Sequence, residues 1–412
     1  MISFKKTKLS NGLTLIVHQD KSTPIAAFNL LYDVGSKHET EDLTGFAHLF
    51  EHLMFEGSEN IPSFDKPLQM IGAQNNAFTS TDVTNYYITV PKDNIETAFW
   101  LESDRLNNLA FSEKSLALQK NVVIEEFKQR YLNQPYGDIW LKLRPLAYKT
   151  HPYRWATIGK NIQQIEDATL DQVKAFFNKH YVPENAILVV AGDIEYDQIL
   201  SLTEKWFGGI TKPDSPRLPI PREAIQQSRR EERCSADVPQ DAIYMAFQMP
   251  SRGEENYVPV DLVSDVLSRG DSSRFYKNLI KGKQLFSELD AFVTGEMEQG
   301  LFVVAGKLSD NVTFEEAEKA IWNEINQLKE NLVSTEELQK VINKVESTLA
   351  FSEMEVLNKA MNLAFAELLG DANLVNEEIN NYLAVTPSDI QSVTQQYLGE
   401  NQVSVLFYEK AQ

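Results

Sequence analysis

Two histidines stand four residues apart in His48-Leu49-Phe50-Glu51-His52, with a glutamate directly before the second. From Gly45 to Phe55 the chain is otherwise apolar, which reads as a buried helix. On a helix, residues i and i+4 share a face, so both imidazoles reach one point. Glu51 lies on the flank of that face, within reach of a water held there. Burying two imidazoles and a carboxylate without partners costs kilocalories for each, and a divalent cation satisfies all three. The bland alternative, two core histidines bonded to backbone carbonyls, leaves one apolar helix with three polar groups to accommodate. The spacing is H-x-x-E-H, the inverted order of a zinc-hydrolase motif.

A catalytic zinc site takes three protein ligands and keeps a fourth position open. Two histidines therefore require a carboxylate from elsewhere. The candidate segment is Gln119 to Phe127, within a helix predicted from Glu113 to Tyr131. Glu125 and Glu126 lie about 100° apart around such a helix, so only one can face the histidines. Glu126 shares its side with Val122 and Val123, whereas Glu125 lies nearer Leu118 and Gln129. The apolar side favours Glu126; without the histidines the pair would read as solvated acid.

With these residues the chain resembles the pitrilysin/insulinase-type zinc metallopeptidases, in their bacterial two-domain, mitochondrial-processing-peptidase-like form. That family joins H-x-x-E-H to a distal glutamate in a segment like E-R-D-V-I-L-x-E, which Gln119 to Glu126 matches. The resemblance implies one Zn²⁺ per chain, held by His48, His52 and Glu126, with Glu51 as general base. Gln119 departs from the pattern, which often has glutamate there. Leu9 to Thr14 resembles the family's opening L-x-N-G strand, and Val34 to Glu39 its V-G-S-R-x-E turn. Asn76-Ala77-Phe78-Thr79 resembles the N-A-x-T segment, an edge strand that in the family pairs with substrate backbone. This implies substrate contacts at Asn76, Ala77 and Phe78; read by itself, Ala77 to Val90 is an alternating strand pair. His151-Pro152-Tyr153 matches another family segment, to which we assign structure rather than chemistry.

The elements that must position these residues divide the chain nearly in half. Four prolines (Pro213, Pro216, Pro219, Pro221) fall within nine residues and stiffen a connector. The expected organisation is a zinc-binding domain over 1–212, a linker over 213–232 and a homologous domain without metal ligands over 233–412. The halves repeat: Thr169 to Asp171 leads through Tyr181 to Asn185 into a strand, and Thr386 to Asp389 leads through Tyr397 to Asn401 into another. In that register Ser264, Leu267 and Ser268 stand where His48, Glu51 and His52 stand in the first half. The fold class is α+β, two tandem homologous α/β domains, each a mostly antiparallel sheet covered by helices. Ser334 to Leu369 reads as one long, charge-laced helical region.

Single-chain relatives carry an Arg and, seven residues on, a Tyr in the second half. Ser273 to Leu279 matches the start of that segment, but the expected positions hold Ile280 and Ser287. The resemblance therefore implies the zinc-bearing subunit of a two-chain endopeptidase, acting on peptides or unfolded segments in a closed chamber. Its homologous partner would supply Arg and Tyr; a homodimer using Lys281 or Lys283 is the other arrangement. A catalytically silent scaffold or peptide-binding subunit is the alternative outside catalysis.

The formal charge of −20 argues against nucleic-acid binding. One cysteine, Cys234, excludes an intrachain disulfide. No signal peptide or membrane-length apolar run is visible, so no membrane insertion is expected and a cytoplasmic location follows if Met1 is native; a removed export signal would make it periplasmic.

Overall fold

The computed structural model describes residues 1–211 and 219–411, so Pro213 and Pro216 lie outside the described residues. The chain forms two compact units. One is built from Met1–Phe127, Trp155–Ile220 and Ala350–Glu377; the other from Lys128–Arg154, Pro221–Leu349 and Glu378–Gln412.

The first unit holds a six-stranded sheet: β1 (Lys5–Lys8), β2 (Thr14–Gln19), β3 (Ile25–Tyr32), β4 (Gln74–Thr79), β5 (Thr84–Pro91) and β6 (Ala186–Gly192), in the order β1-β2-β6-β3-β5-β4. Only the β2/β6 pair is parallel. Side chains alternate across a strand, so Phe28, Leu30 and Tyr32 face one side and Ala27, Asn29 and Leu31 the other. Both sides are covered, which is why β3 is a continuous apolar run apart from Asn29. Val356, Ala360, Leu363 and Ala364 of helix Val356–Leu368 pack with Ile16, Ala27, Leu31 and Val189. On the opposite side Phe28 meets Phe99 and Tyr32 meets Tyr181, with Phe50 stacked on Phe177.

The second unit holds β7 (Arg230–Ala236), β8 (Ala242–Gln248), β9 (Phe286–Val293), β10 (Leu301–Leu308) and β11 (Val403–Lys410), in the order β7-β11-β8-β10-β9. Again one pair, β7/β11, is parallel and the rest antiparallel. Without β1, the first sheet has this same order, strand for strand. The repeat extends to the caps: Thr169 and Thr386 each close a capping box at the start of helices Leu170–His180 and Pro387–Tyr397, which lead into β6 and β11.

The structure adds detail to three expectations. The compact units are not contiguous halves, since each takes one segment from the opposite half. Helix Ile139–Ala147 packs on β11, β8 and β7, while helix Val356–Leu368 packs on β6, β3 and β2. The helical region expected over Ser334 to Leu369 is present as two helices, Thr335–Ser352 and Val356–Leu368, and the division between the units falls at Leu349/Ala350, near the end of the first. The helix from Glu113 is α-helical to Phe127 and continues as a π-helical turn, Lys128–Leu132. Among the described residues no helix is long and apolar enough to cross a membrane.

Candidate metal centre

Helix Phe46–Leu53 carries the histidine pair. Its Phe46, Ala47, Leu49, Phe50 and Leu53 are buried, which leaves His48, Glu51 and His52 on the remaining, partly open side. The two imidazole rings lie edge to face with centroids 4.8 Å apart. Helix Glu113–Phe127 packs across it and buries Leu116, Val123, Ile124 and Phe127. That packing turns Glu126 inward and leaves Glu125 exposed. Val122, one turn before Glu126, is 42 % exposed, so the glutamate sits at the open margin of the apolar side and not at its centre.

One carboxylate oxygen, Glu126 Oε2, lies 3.6 Å from His48 Nε2 and 3.5 Å from His52 Nε2. The three donor atoms all fall within 4.8 Å of one another. Ligands at zinc–nitrogen and zinc–oxygen bond lengths stand about 3.3–3.5 Å apart around a tetrahedral centre. The donor set, two imidazoles and a carboxylate, therefore fits a zinc-sized cation in both chemistry and spacing.

Two residues not singled out from the sequence complete the surroundings. Thr79 Oγ1, at the end of β4, donates to Glu51 Oε2 at 2.5 Å. It is the threonine of the N-A-x-T segment, so the motif carried the signal although only its first three residues were selected. Glu39 is buried and accepts backbone N–H groups of Gly45 at 2.9 Å and Ala47 at 2.8 Å. Burial pushes its carboxyl up to about 8, against the pull of those hydrogen bonds. Gln119, at the position often acidic in relatives, donates to Glu56 Oε1.

The expected substrate residues lie on β4, the outermost strand of its sheet. The Ala77 N–H is held by the Asn76 side-chain oxygen at 2.8 Å, which marks it as a group turned to the free edge and away from β5. Phe78 stacks against Phe365, so its ring faces away from the side on which Thr79 meets Glu51. The residues at the expected Arg and Tyr positions have other roles: Ile280 packs against the core of the second unit, and Ser287 Oγ bonds Gln240.

The chain is similar to known proteins along its length. The family description "Insulinase (Peptidase family M16)" matches residues 14–144, and "Peptidase M16 inactive domain" matches residues 167–345. The zinc protease PqqE of Helicobacter pylori is 28 % identical over 410 residues, covering 97 % of this chain and 91 % of that one. The crystal structure of a protease from Helicobacter pylori superposes with a TM-score of 0.94 at 26 % identity, covering 99 % of this chain and 100 % of that one. The periplasmic protease PqqL of Escherichia coli shares the fold, with a TM-score of 0.78 at 18 % identity, over 98 % of this chain but 47 % of that one. Three candidate metal ligands on two packed helices, matching family descriptions in both halves and a shared fold along the whole chain lead to one assignment: the chain belongs to the insulinase, or M16, family of peptidases.

Proposed function

We propose that this chain is a zinc-dependent endopeptidase that hydrolyses peptides or unfolded polypeptide segments, with one Zn²⁺ per chain. The reading rests on a single observation, the convergence of His48, His52 and Glu126 donor atoms within 4.8 Å. Neutral imidazoles of His48 and His52 and the carboxylate of Glu126 would hold the ion. When bound, zinc lowers the pKa of water toward about 7 and polarises the scissile carbonyl. Glu51 accepts a proton from the attacking water and delivers it to the amine as the C–N bond breaks and the new C–O bond forms. Thr79 donates to Glu51 Oε2 and holds the carboxylate in one orientation. The free edge of β4 receives the peptide as an added strand, with the Ala77 N–H released from Asn76 to pair with it.

The chain acts, in this reading, inside a closed chamber as the catalytic subunit of a two-chain enzyme whose homologous partner supplies an Arg and a Tyr. Ile280 and Ser287 at the corresponding positions support this, as does a fold that spans half of PqqL. The same two residues favour, as a second reading, a peptide-binding subunit or scaffold without turnover.

The test is elemental analysis together with turnover of a fluorogenic peptide library by the purified chain, alone and with its captured partner. Glu51→Gln is expected to keep one zinc per chain and to lose roughly 10²- to 10⁴-fold in rate. Wild-type chain that takes up no zinc ends this proposal. Zinc-loaded chain that never cleaves, with or without partner, leaves the second reading.

A further inference from the structure

We infer that Glu39 is a positioning residue for the metal centre, a buried carboxylate that caps the histidine helix from outside it. The inference rests on the zinc reading of His48, His52 and Glu126. Helix Phe46–Leu53 has eight residues. Its first four N–H groups have no partner within it, and so short a helix does not hold itself together. An ordinary N-cap would be a Ser, Thr, Asp or Asn at position 45. That position excludes them. Gly45 has φ +84°, and a Cβ there would lie 2.6 Å from Ile158 O and from Ile165 Cδ1.

Capping must come from elsewhere, and Glu39 supplies it with both oxygens, one to the Gly45 N–H and one to the Ala47 N–H. The next residue is His48. Glu39 is 7 % exposed, and the partners of its carboxylate are backbone N–H groups, not a cation. A buried carboxyl group is costly unless its oxygens are bonded. Here both oxygens accept N–H groups at the positive end of the helix.

The other end of the same short segment is fixed just as closely. Lys37 pairs with Asp82 at 2.9 Å, both 7 % exposed, and its N–H bonds Thr81 O at 2.8 Å. A Cβ on Gly35 would stand 2.6 Å from Ser80 O and from the Asp82 carbonyl carbon, so the two backbones touch. The turn from Ser80 to Asp82 directly follows Thr79, the partner of Glu51. Residues 35–39 thus join the first turn of the histidine helix to the turn after β4. They fix the rotation at which His48, Glu51 and His52 meet Thr79 and Glu126. Without the cap, the first turn frays and His48 is the ligand that loosens.

The test uses the full chain and does not need turnover. Glu39→Gln keeps the volume and turns an amide N–H₂ toward one of the two N–H donors that the two oxygens now accept from. Zinc affinity, read by competition with a chromophoric chelator, is expected to fall by about 10- to 100-fold, as for residues that orient metal ligands. The visible absorption of the Co²⁺-loaded protein shifts with it, which a merely stabilising role would not cause. Glu39→Asp keeps both carboxyl oxygens on a shorter arm and is expected to fall between Gln and wild type in both measurements. Folded Glu39→Gln with wild-type zinc affinity and cobalt spectrum overturns the inference while the zinc reading stands. If Glu39→Gln does not fold, the Asp variant decides: a several-fold loss with a shifted spectrum supports the role, wild-type values overturn it. A wild-type chain that binds neither ion overturns the inference and the zinc reading together.

Discussion

Helix Phe46–Leu53 and helix Tyr257–Ser268 hold the same place in two copies of one strand order, and their polar positions are used in different ways. In the first unit His48 and His52 turn toward a glutamate from a second helix, and Glu51 is steadied by Thr79 of the outermost strand. In the second unit Leu267 is fully buried, Ser264 donates to Asp261 O of its own helix, and Ser268 donates to Ala291 O on the outermost strand β9. The second helix thus satisfies itself with backbone that is already there. The first sets its polar groups against side chains of a second helix and of the outermost strand. The same architecture supports either use, and the side chains at three positions decide which.

The comparison can be broken most severely at the histidines. His48→Ser combined with His52→Ser gives the first helix the residues of the second; zinc content should fall from one per chain to none, with loss of turnover, read by elemental analysis and peptide assay. Retained zinc would mean that the ligands lie elsewhere. A smaller effect tests the exchanged helices. Leu363→Ala and Leu143→Ala each remove a fully buried leucine and should destabilise by about 2–5 kcal/mol. Hydrogen exchange should locate the loosening in β3 and β6 for Leu363→Ala and in β8 and β11 for Leu143→Ala; loosening in the sequence-adjacent sheet would contradict the exchange.

Next comes Asp20, whose carboxyl is held well below its ordinary 3.8 by hydrogen bonds from Lys359, then Ser22. A depressed folded pKa means that this stability is present above pH 3.8 and is lost as the pH falls below it. Asp20→Asn should cost roughly 1.5–3 kcal/mol near neutral pH and flatten the acid limb of the stability curve, followed by thermal unfolding against pH. The mildest change is Ser268→Ala, which removes the hydroxyl that donates to Ala291 O at 2.8 Å and, more distantly, to Ser264 O at 3.4 Å. It should lower stability by about 0.5–1.5 kcal/mol with zinc content and turnover unaltered.

The candidate metal centre was legible because its chemistry is local: two candidate ligands and the candidate base lie within five residues of one helix, and Glu126 lies in a segment with its own pattern. The strands were legible for the same reason, since Ala242–Gln248 and Leu301–Leu308 are apolar runs of strand length. Glu39 closes the V-G-S-R-x-E match, but its part at the helix start was not legible, because a glutamate beside a turn looks like any solvated acid until the fold closes over it. The break between Ser352 and Val356 was also hidden, since no Gly or Pro lies anywhere from Ser334 to Leu369. Periodicity reports which face of a helix is apolar; it does not report which sheet that face will cover.

The trading of helices Ile139–Ala147 and Val356–Leu368 bears on ancestry and on engineering alike. A protein of half this length, with the same sheet, would have had its own helix committed elsewhere and one sheet face bare. Only a twin molecule donating the matching helix could have closed it, which is how swapped dimers of identical chains arise. Cutting the chain at its middle should therefore yield two fragments that must be expressed together, each insoluble without the other.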